Sequence, residues 1–306
     1  MTETSIPAAH VTSKVTPAEE TQSNLLGAAD IRRIAAEAGI SPTKKLGQNF
    51  VIDPGTVRKI VRESGIGSDD LVLEVGPGLG SLTLGILEVG AHLTAVEIDP
   101  PLAARLPSTV SEYNRDGANR LNIVNQDALL LQDTNLPAEY GTTDFTLVAN
   151  LPYNVATPIL LTLLERFPHL TRFLVMVQKE VADRLVASPG TKIYGTPSAK
   201  LAWYGTAKRA GTIGRNVFWP APNVDSALVL FTRDKAEARD MNSRASVFDL
   251  IDAAFQQRRK TLHAALRQRV GDQAYALSGI DPTRRGETLG IDEFMRLNAA
   301  AGRAGE

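Results

Sequence analysis

The sequence predicts an α/β fold, a mainly parallel sheet with helices on both faces, followed by a small all-helical C-terminal domain. Short apolar runs alternate with stretches of helical spacing from about residue 50 to 231, a glycine-rich turn follows the first buried run, and strand patterns cease after a polar stretch at 232–244. Alternation at these lengths is the mark of helix-covered parallel strands. At 306 residues the chain exceeds the usual single-domain size. One α/β domain of about 200 residues with a smaller appendage is therefore expected.

Each element follows in order. Residues 1–24 are rich in Thr, Ser, Glu, Pro and Ala and lack the apolar run of a secretory signal, so a disordered tail is expected. The α/β domain is expected over 25–235. Ile31, Ile34 and Ala35 give a helix over 29–38, which Gly39 ends. Asp53 before Pro54 is a helix start, and Val57, Ile60 and Val61 carry its apolar stripe to Gly65. Strands are expected at 71–75, 93–96, 122–124, 145–149, 173–177 and 227–231, and helices near 82–88, 101–113, 156–166 and 179–186. The charged stretch 232–244 is expected to be a linker. Helical periodicity at 247–255, 259–267 and 291–298 then predicts the helical domain, over 245–302.

Bulk properties exclude several function classes. No stretch approaches the ~20 apolar residues of a membrane span. The chain has no cysteine, hence no disulfide, thiolate metal site or catalytic thiol, which suits a cytoplasmic protein. His10, His92, His169 and His263 are scattered without metal-ligand spacing, and no metal is expected. Net charge is −1, from 33 basic and 34 acidic side chains, so the whole molecule is no polycation. Locally the balance shifts: 255–270 holds Arg258, Arg259, Lys260, Arg267 and Arg269 without an acid, and Lys44-Lys45 and Lys208-Arg209 are further basic pairs. Such a run serves a solvated face as readily as it serves nucleic acid.

The strand at 71–75 runs into Gly76-Pro77-Gly78-Leu79-Gly80, where side chains would block a ligand from the backbone. Glu97 stands 21 residues after Gly76, at the end of the second strand, where an acid accepts from ribose hydroxyls. This spacing fits a dinucleotide as well as a nucleoside sulfonium. Two features tilt it to the sulfonium: the turn departs from Gly-x-Gly-x-x-Gly, and Asp127 follows the third strand, placed for an adenine amine. Asp127 would equally suit a surface acid near a helix start.

The fourth strand delivers Asn150-Leu151-Pro152-Tyr153-Asn154 to the carboxyl edge of the sheet, where open α/β sheets bind ligands. An exocyclic adenine amine is a poor nucleophile because its lone pair is delocalised into the ring. Acceptors aimed at its hydrogens favour a geometry with the lone pair freer to attack. The Asn150 side-chain oxygen and the Leu151 carbonyl suit that task, and Pro152 restricts the turn. Tyr153 would stack on a base swung out of its helix or loop. No strong general base is required, because the amine becomes acidic once methylated and water or a positioned acceptor takes its proton.

With these motifs in order, the chain resembles the rRNA adenine dimethyltransferases, the small-subunit (16S-type) members in particular. The resemblance runs from about residue 44 to 297. It is carried by Lys45-Leu46-Gly47-Gln48-Asn49-Phe50, by Glu74 to Gly80, by Asn150 to Asn154, by Val217-Phe218-Trp219-Pro220-Ala221-Pro222-Asn223-Val224-Asp225-Ser226-Ala227 and by Phe255-Gln256-Gln257-Arg258-Arg259-Lys260-Thr261-Leu262.

The resemblance implies a Rossmann-like class I methyltransferase domain with S-adenosyl-L-methionine as cofactor. Asn49, Val51, Gly76, Glu97, Asp127 and Asn150 would contact it, with Gly78 in the same turn, and Phe218 and Tyr153 would sandwich the target adenine. A packing role for Phe218 is as good a reading. The implied substrate is a pair of adjacent adenines in a hairpin loop near the 3′ end of 16S rRNA, met in the immature small subunit. The implied phosphate contacts are Arg258, Arg259 and Lys260. A monomer is expected. Two departures stand out: Val51 where the family commonly has Leu, and Ala264 where it often has Asn. The alternatives are a large-subunit rRNA adenine methyltransferase conferring macrolide resistance, whose Asn-Ile-Pro-Tyr differs from the sequence here, and a non-catalytic ribosome-assembly factor on the same fold.

Overall fold

The computed structural model describes residues 24–41, 48–152, 154–234 and 239–304. The expected tail, the Lys44-Lys45 pair and Tyr153 lie outside them, apart from Asn24. The strands are β1 (Phe50–Val51), β2 (Leu71–Val75), β3 (His92–Glu97), β4 (Leu121–Asn125), β5 (Phe145–Asn150), β6 (Leu170–Gln178), β7 (Gly205–Ile213), β8 (Phe218–Trp219) and β9 (Ser226–Arg233). Seven form one sheet in the order β4-β3-β2-β5-β6-β9-β7. Neighbours from β4 to β6 pair in parallel, whereas β9 runs antiparallel to both β6 and β7. β1 and β8 form a separate antiparallel ribbon, Val51 opposite Phe218.

Side chains alternate across the pleat, so each central strand feeds two cores. Leu73, Leu147 and Phe173 join one apolar cluster; Val72, Val148 and Leu174 join the other. On the second face lie α1 (Ala28–Glu37), α2 (Pro54–Ser64), α3 (Ser81–Glu88) and α4 (Pro100–Tyr113). The first face carries α5 (Ala156–Arg166), α6 (Lys179–Leu185) and α7 (Thr196–Tyr204), and its core continues unbroken into Val247, Leu262 and Phe294. Those residues sit on α8 (Arg244–Gln256), α9 (Leu262–Leu266) and α11 (Ile291–Ala304), with α10 (Asp272–Ser278) between. The predicted architecture is borne out: a mainly parallel sheet covered by helices on both faces, then helices alone among the described residues.

Local chemistry explains the boundaries. The Asp53 carboxylate accepts from the Thr56 amide at 2.7 Å, Pro54 opens α2, and Gly65 closes it in the left-handed conformation at φ 69°. α5 ends differently. Its last carbonyls turn to Arg233, whose guanidinium donates to Leu164 O at 2.7 Å, Phe167 O at 3.1 Å and Leu170 O at 2.8 Å.

Three expectations need correction. The linker expected at 232–244 is shorter, because Thr232 and Arg233 belong to β9 and Arg239 bonds the Ala202 and Trp203 carbonyls. Arg259 and Lys260 lie in a turn before α9 rather than in a helix, and the Thr261 hydroxyl caps that helix by accepting from the Ala264 amide. β7, α7 and α10, like the short β1 and β8, add to the elements expected from the sequence. β7 is an edge strand whose Lys208-Arg209 and bulge at Ala210 erase any apolar alternation, and α7 buries residues around most of its circumference.

Candidate active site

A cleft opens at the carboxyl ends of β2, β3 and β5, with about 990 Å³ of space including its mouth. Asn49, Val51, Gly76, Gly78, Glu97, Asp127, Asn150, Leu151 and Pro152 all line it. The structure therefore brings every described residue proposed for cofactor contact to one wall-to-wall site, although those residues are scattered over a hundred positions of the chain.

The glycine turn forms the floor. Gly76 and Gly78 have φ 74° and 58°, and a side-chain carbon on Gly78 would stand 2.9 Å from the Phe50 ring. Only glycine leaves this turn open beneath β1. Glu97 is 4 % exposed. One of its oxygens accepts from the Gly78 amide at 3.1 Å, the other from the Asp99 amide at 3.0 Å. A carboxylate accepts about four bonds, so the group retains capacity for a ribose hydroxyl. Burial raises the Glu97 pKa, and these amides oppose the rise.

Asp127 combines a local structural role with a place in the cleft wall. One oxygen accepts from Leu129 N at 2.9 Å, capping a short turn, while the side chain also lines the cleft. Beside it Ile98 is 52 % exposed, an apolar wall facing the same space. The set of a buried carboxylate, a second acid, an apolar wall and an open glycine turn fits a nucleoside bearing a positively charged tail. Among the described residues, no group of acids and histidines has the arrangement of a metal site.

Asn150 is held in one orientation. Its Nδ2 donates to Asn49 O at 3.0 Å, and a carbonyl partner requires nitrogen on that side of the amide. The side-chain oxygen is thereby the atom offered to a ligand. Leu151 N donates to Met176 O at 3.1 Å, which ties the turn to β6. The segment 48–51 is secured by side chains at three points, in addition to the pairing of β1 with β8. Besides Asn150, the Gln48 side chain donates to Asp99 at 3.0 Å and the Ser81 hydroxyl to Val51 O at 2.6 Å.

Phe218 and the basic run sit elsewhere. Phe218 is 3 % exposed, packed with Phe50 and Val51 rather than lining the cleft. Arg258 donates to Glu287 at 2.8 Å and to Lys192 O at 2.6 Å, whereas Arg259 and Lys260 are exposed. Ala264 is exposed on α9, so its departure from the family pattern leaves the helix packing intact.

Sequence reasoning missed Gln48, Ser81, Ile98 and Glu74. Glu74 is 1 % exposed, lines the cleft and accepts from the Thr83 hydroxyl at 2.6 Å; burial pushes its carboxyl up to about 8. Its place two residues before Gly76 was the available signal.

Comparison with known proteins agrees with this geometry. The family described as Ribosomal RNA adenine dimethylase matches residues 41–301. The chain is 69 % identical over 291 residues to Ribosomal RNA small subunit methyltransferase A of Bifidobacterium adolescentis, covering 92 % of this chain and 96 % of that one. To the protein of the same description from Thermobifida fusca it is 55 % identical over 288 residues, covering 92 % and 98 %. Among solved structures, a dimethyladenosine transferase from Plasmodium falciparum superposes with a TM-score of 0.69 at 22 % identity, over 84 % of this chain and 98 % of that one. The 23S rRNA methyltransferase ErmE gives 0.63, also at 22 %, over 83 % and 100 %. At such identity these two show the shared fold.

Proposed function

The chain belongs to the ribosomal RNA adenine dimethylase family, and from that premise we propose that it dimethylates two adjacent adenosines in a hairpin loop near the 3′ end of 16S rRNA. Its substrate on this reading is the immature small subunit, and it acts as a cytoplasmic monomer. No described helix is long and apolar enough to cross a membrane. The observation that carries the reading is the orientation of Asn150. A side chain whose nitrogen is tied to Asn49 O presents an acceptor at the cleft mouth, beside the glycine turn.

The residues divide the work. Glu97 takes the ribose hydroxyls, Asp127 the adenine amine, and the Gly76 to Gly78 backbone lies against the amino-acid tail, with Asn49 and Val51 closing the site. Bound there, S-adenosylmethionine supplies an electrophilic methyl group on its sulfonium. Asn150 Oδ1 and the Leu151 carbonyl accept from the target amine, which fixes its hydrogens and directs its lone pair into the cleft. The 48–51 segment excludes water, so those two acceptors act in a low dielectric. Tyr153 and Phe218 hold the base by stacking, which for Phe218 requires the β1–β8 ribbon to uncover its ring. Arg259 and Lys260 face rRNA phosphates, with Arg258 holding their turn in place.

The test uses purified protein, S-adenosylmethionine and small subunits from cells that lack the modification. Nucleoside mass spectrometry should find two dimethyladenosines per subunit. Absence of dimethyladenosine from those subunits, or its formation in large subunits offered in a parallel reaction instead, sinks the proposal.

A further inference from the structure

A second hollow lies on the same sheet edge, about 1630 Å³ with its open mouth, between the end of β6, the loop after β8 and the segment before α7. Gln178 at its wall is two residues beyond Met176, whose carbonyl holds Leu151. At ~3.3 Å per strand residue, the groove begins about 7 Å from the catalytic turn. Of the six large apolar side chains left exposed among the described residues, Ile98 lines the cofactor cleft, and Ile193 and Val224 line this groove at 51 % and 45 % exposure. With Pro197 and Phe255 they give the groove an apolar surface among its charged and polar residues, one that a base can cover.

The charge around them is suited to phosphate. Five basic and three acidic residues line the groove. Lys192 makes no ion pair among the described residues, and Arg215 lies 3.6 Å from Asp225 in a pair half exposed on both sides. Exposed pairs of this kind contribute little, so their cations can turn to an arriving phosphate. The platform itself is fixed. Arg258 holds Lys192 O, Gly190 N donates to Glu287 O at 2.7 Å, and the Tyr194 hydroxyl donates to Leu289 O at 2.9 Å.

We propose that this groove seats the nucleotide next to the flipped adenine, its base against Ile193 and Val224 and its phosphates facing Lys192 and Arg215. The inference rests on the rRNA-adenine reading above and deepens it. For a pair of adjacent adenines, the groove keeps the second one unstacked and near the catalytic turn while the first reacts. It also gives the C-terminal helices a part in substrate geometry, since Arg258 and Glu287 position the loop that bears Ile193.

The experiment uses small subunits reconstituted with 16S rRNA in which either adenine of the pair is replaced by an abasic nucleotide. Methyl transfer to the remaining adenine is measured with the parent protein and with Ile193→Ser, Val224→Ser. For the parent, one of the two abasic placements should raise KM about five- to thirtyfold, the effect of removing one apolar contact surface. The double variant should show a similar rise on intact rRNA, with cofactor affinity unchanged, and the same abasic placement should add less than about twofold. Effects that multiply in full, the pattern of a groove filled by protein rather than by that base, overturn the proposal, as does an abasic substrate that the parent uses normally. Failure of the parent on intact subunits is a different result, and removes the rRNA reading beneath it.

Discussion

Replacing Asn150 by Ala removes two interactions whose magnitudes differ. The first is the 3.0 Å bond from its Nδ2 to Asn49 O, which helps close the 48–51 segment over the cofactor. A neutral hydrogen bond of this kind contributes about 1 kcal/mol net, or roughly fivefold in affinity. The second is the acceptor aimed at the reacting amine. Loss of one preorganised polar group at a reacting centre costs about 2.7–4 kcal/mol, a factor of about 10²–10³ in kcat. The second term dominates. Single-turnover transfer from radiolabelled S-adenosylmethionine to under-methylated small subunits should therefore slow by about 10²–10³, while equilibrium dialysis finds cofactor binding weaker by less than about tenfold. A variant within about threefold of the parent rate, or one whose whole deficit lies in cofactor affinity, refutes the role given to the Asn150 oxygen.

Three further outcomes are expected. Burial lifts the Glu74 carboxyl from its ordinary 4.5 to about 8, so the folded state favours its protonated form; that contribution is fully present below the unfolded value and is lost as pH rises through about 8. Glu74→Gln, which still accepts from Thr83, should flatten the fall in Tm between about pH 5 and 9, and parallel Tm curves would contradict this. Arg233→Leu leaves the α5 and β6 carbonyls without their donor and should lower stability by about 2–4 kcal/mol in urea, with cofactor affinity retained. Alanine at Arg259 and Lys260 should reduce the salt slope of subunit binding by about one per residue, whereas Arg258→Ala should lower Tm and leave the slope nearly unchanged; equal slopes for all three would remove the distinction.

What the sequence disclosed follows from which physical signals are local. α2 was legible because Asp53, Pro54 and Gly65 mark both ends within the segment itself. β2 and β5 were legible because strands buried on both faces read as continuous apolar runs. β7 was not, since an edge strand carries the charges that keep other chains away, and its pairing with β9 joins residues from 13 (Ile213 to Ser226) to 28 (Gly205 to Arg233) positions apart. The same limit applies within the site. Glu97, Asp127 and Asn150 could be placed by their position after a strand, but the bond fixing the Asn150 amide spans 101 positions and no periodicity encodes it. Phe218 and Arg258 illustrate the converse: motif position marked them, and only the fold reveals that one is buried beside Val51 and the other is bonded to Glu287.

In the proposed reaction the Asn150 turn presents adenine amines of one rRNA hairpin to the cofactor cleft. Primer-extension mapping of 16S rRNA from cells without this gene, complemented by the parent or by Asn150→Ala, tests it most directly. Two adjacent dimethyladenosine stops near the 3′ end should vanish with the gene, return with the parent and stay absent with Asn150→Ala. Stops that persist without the gene, or that return in full with Asn150→Ala, would contradict it.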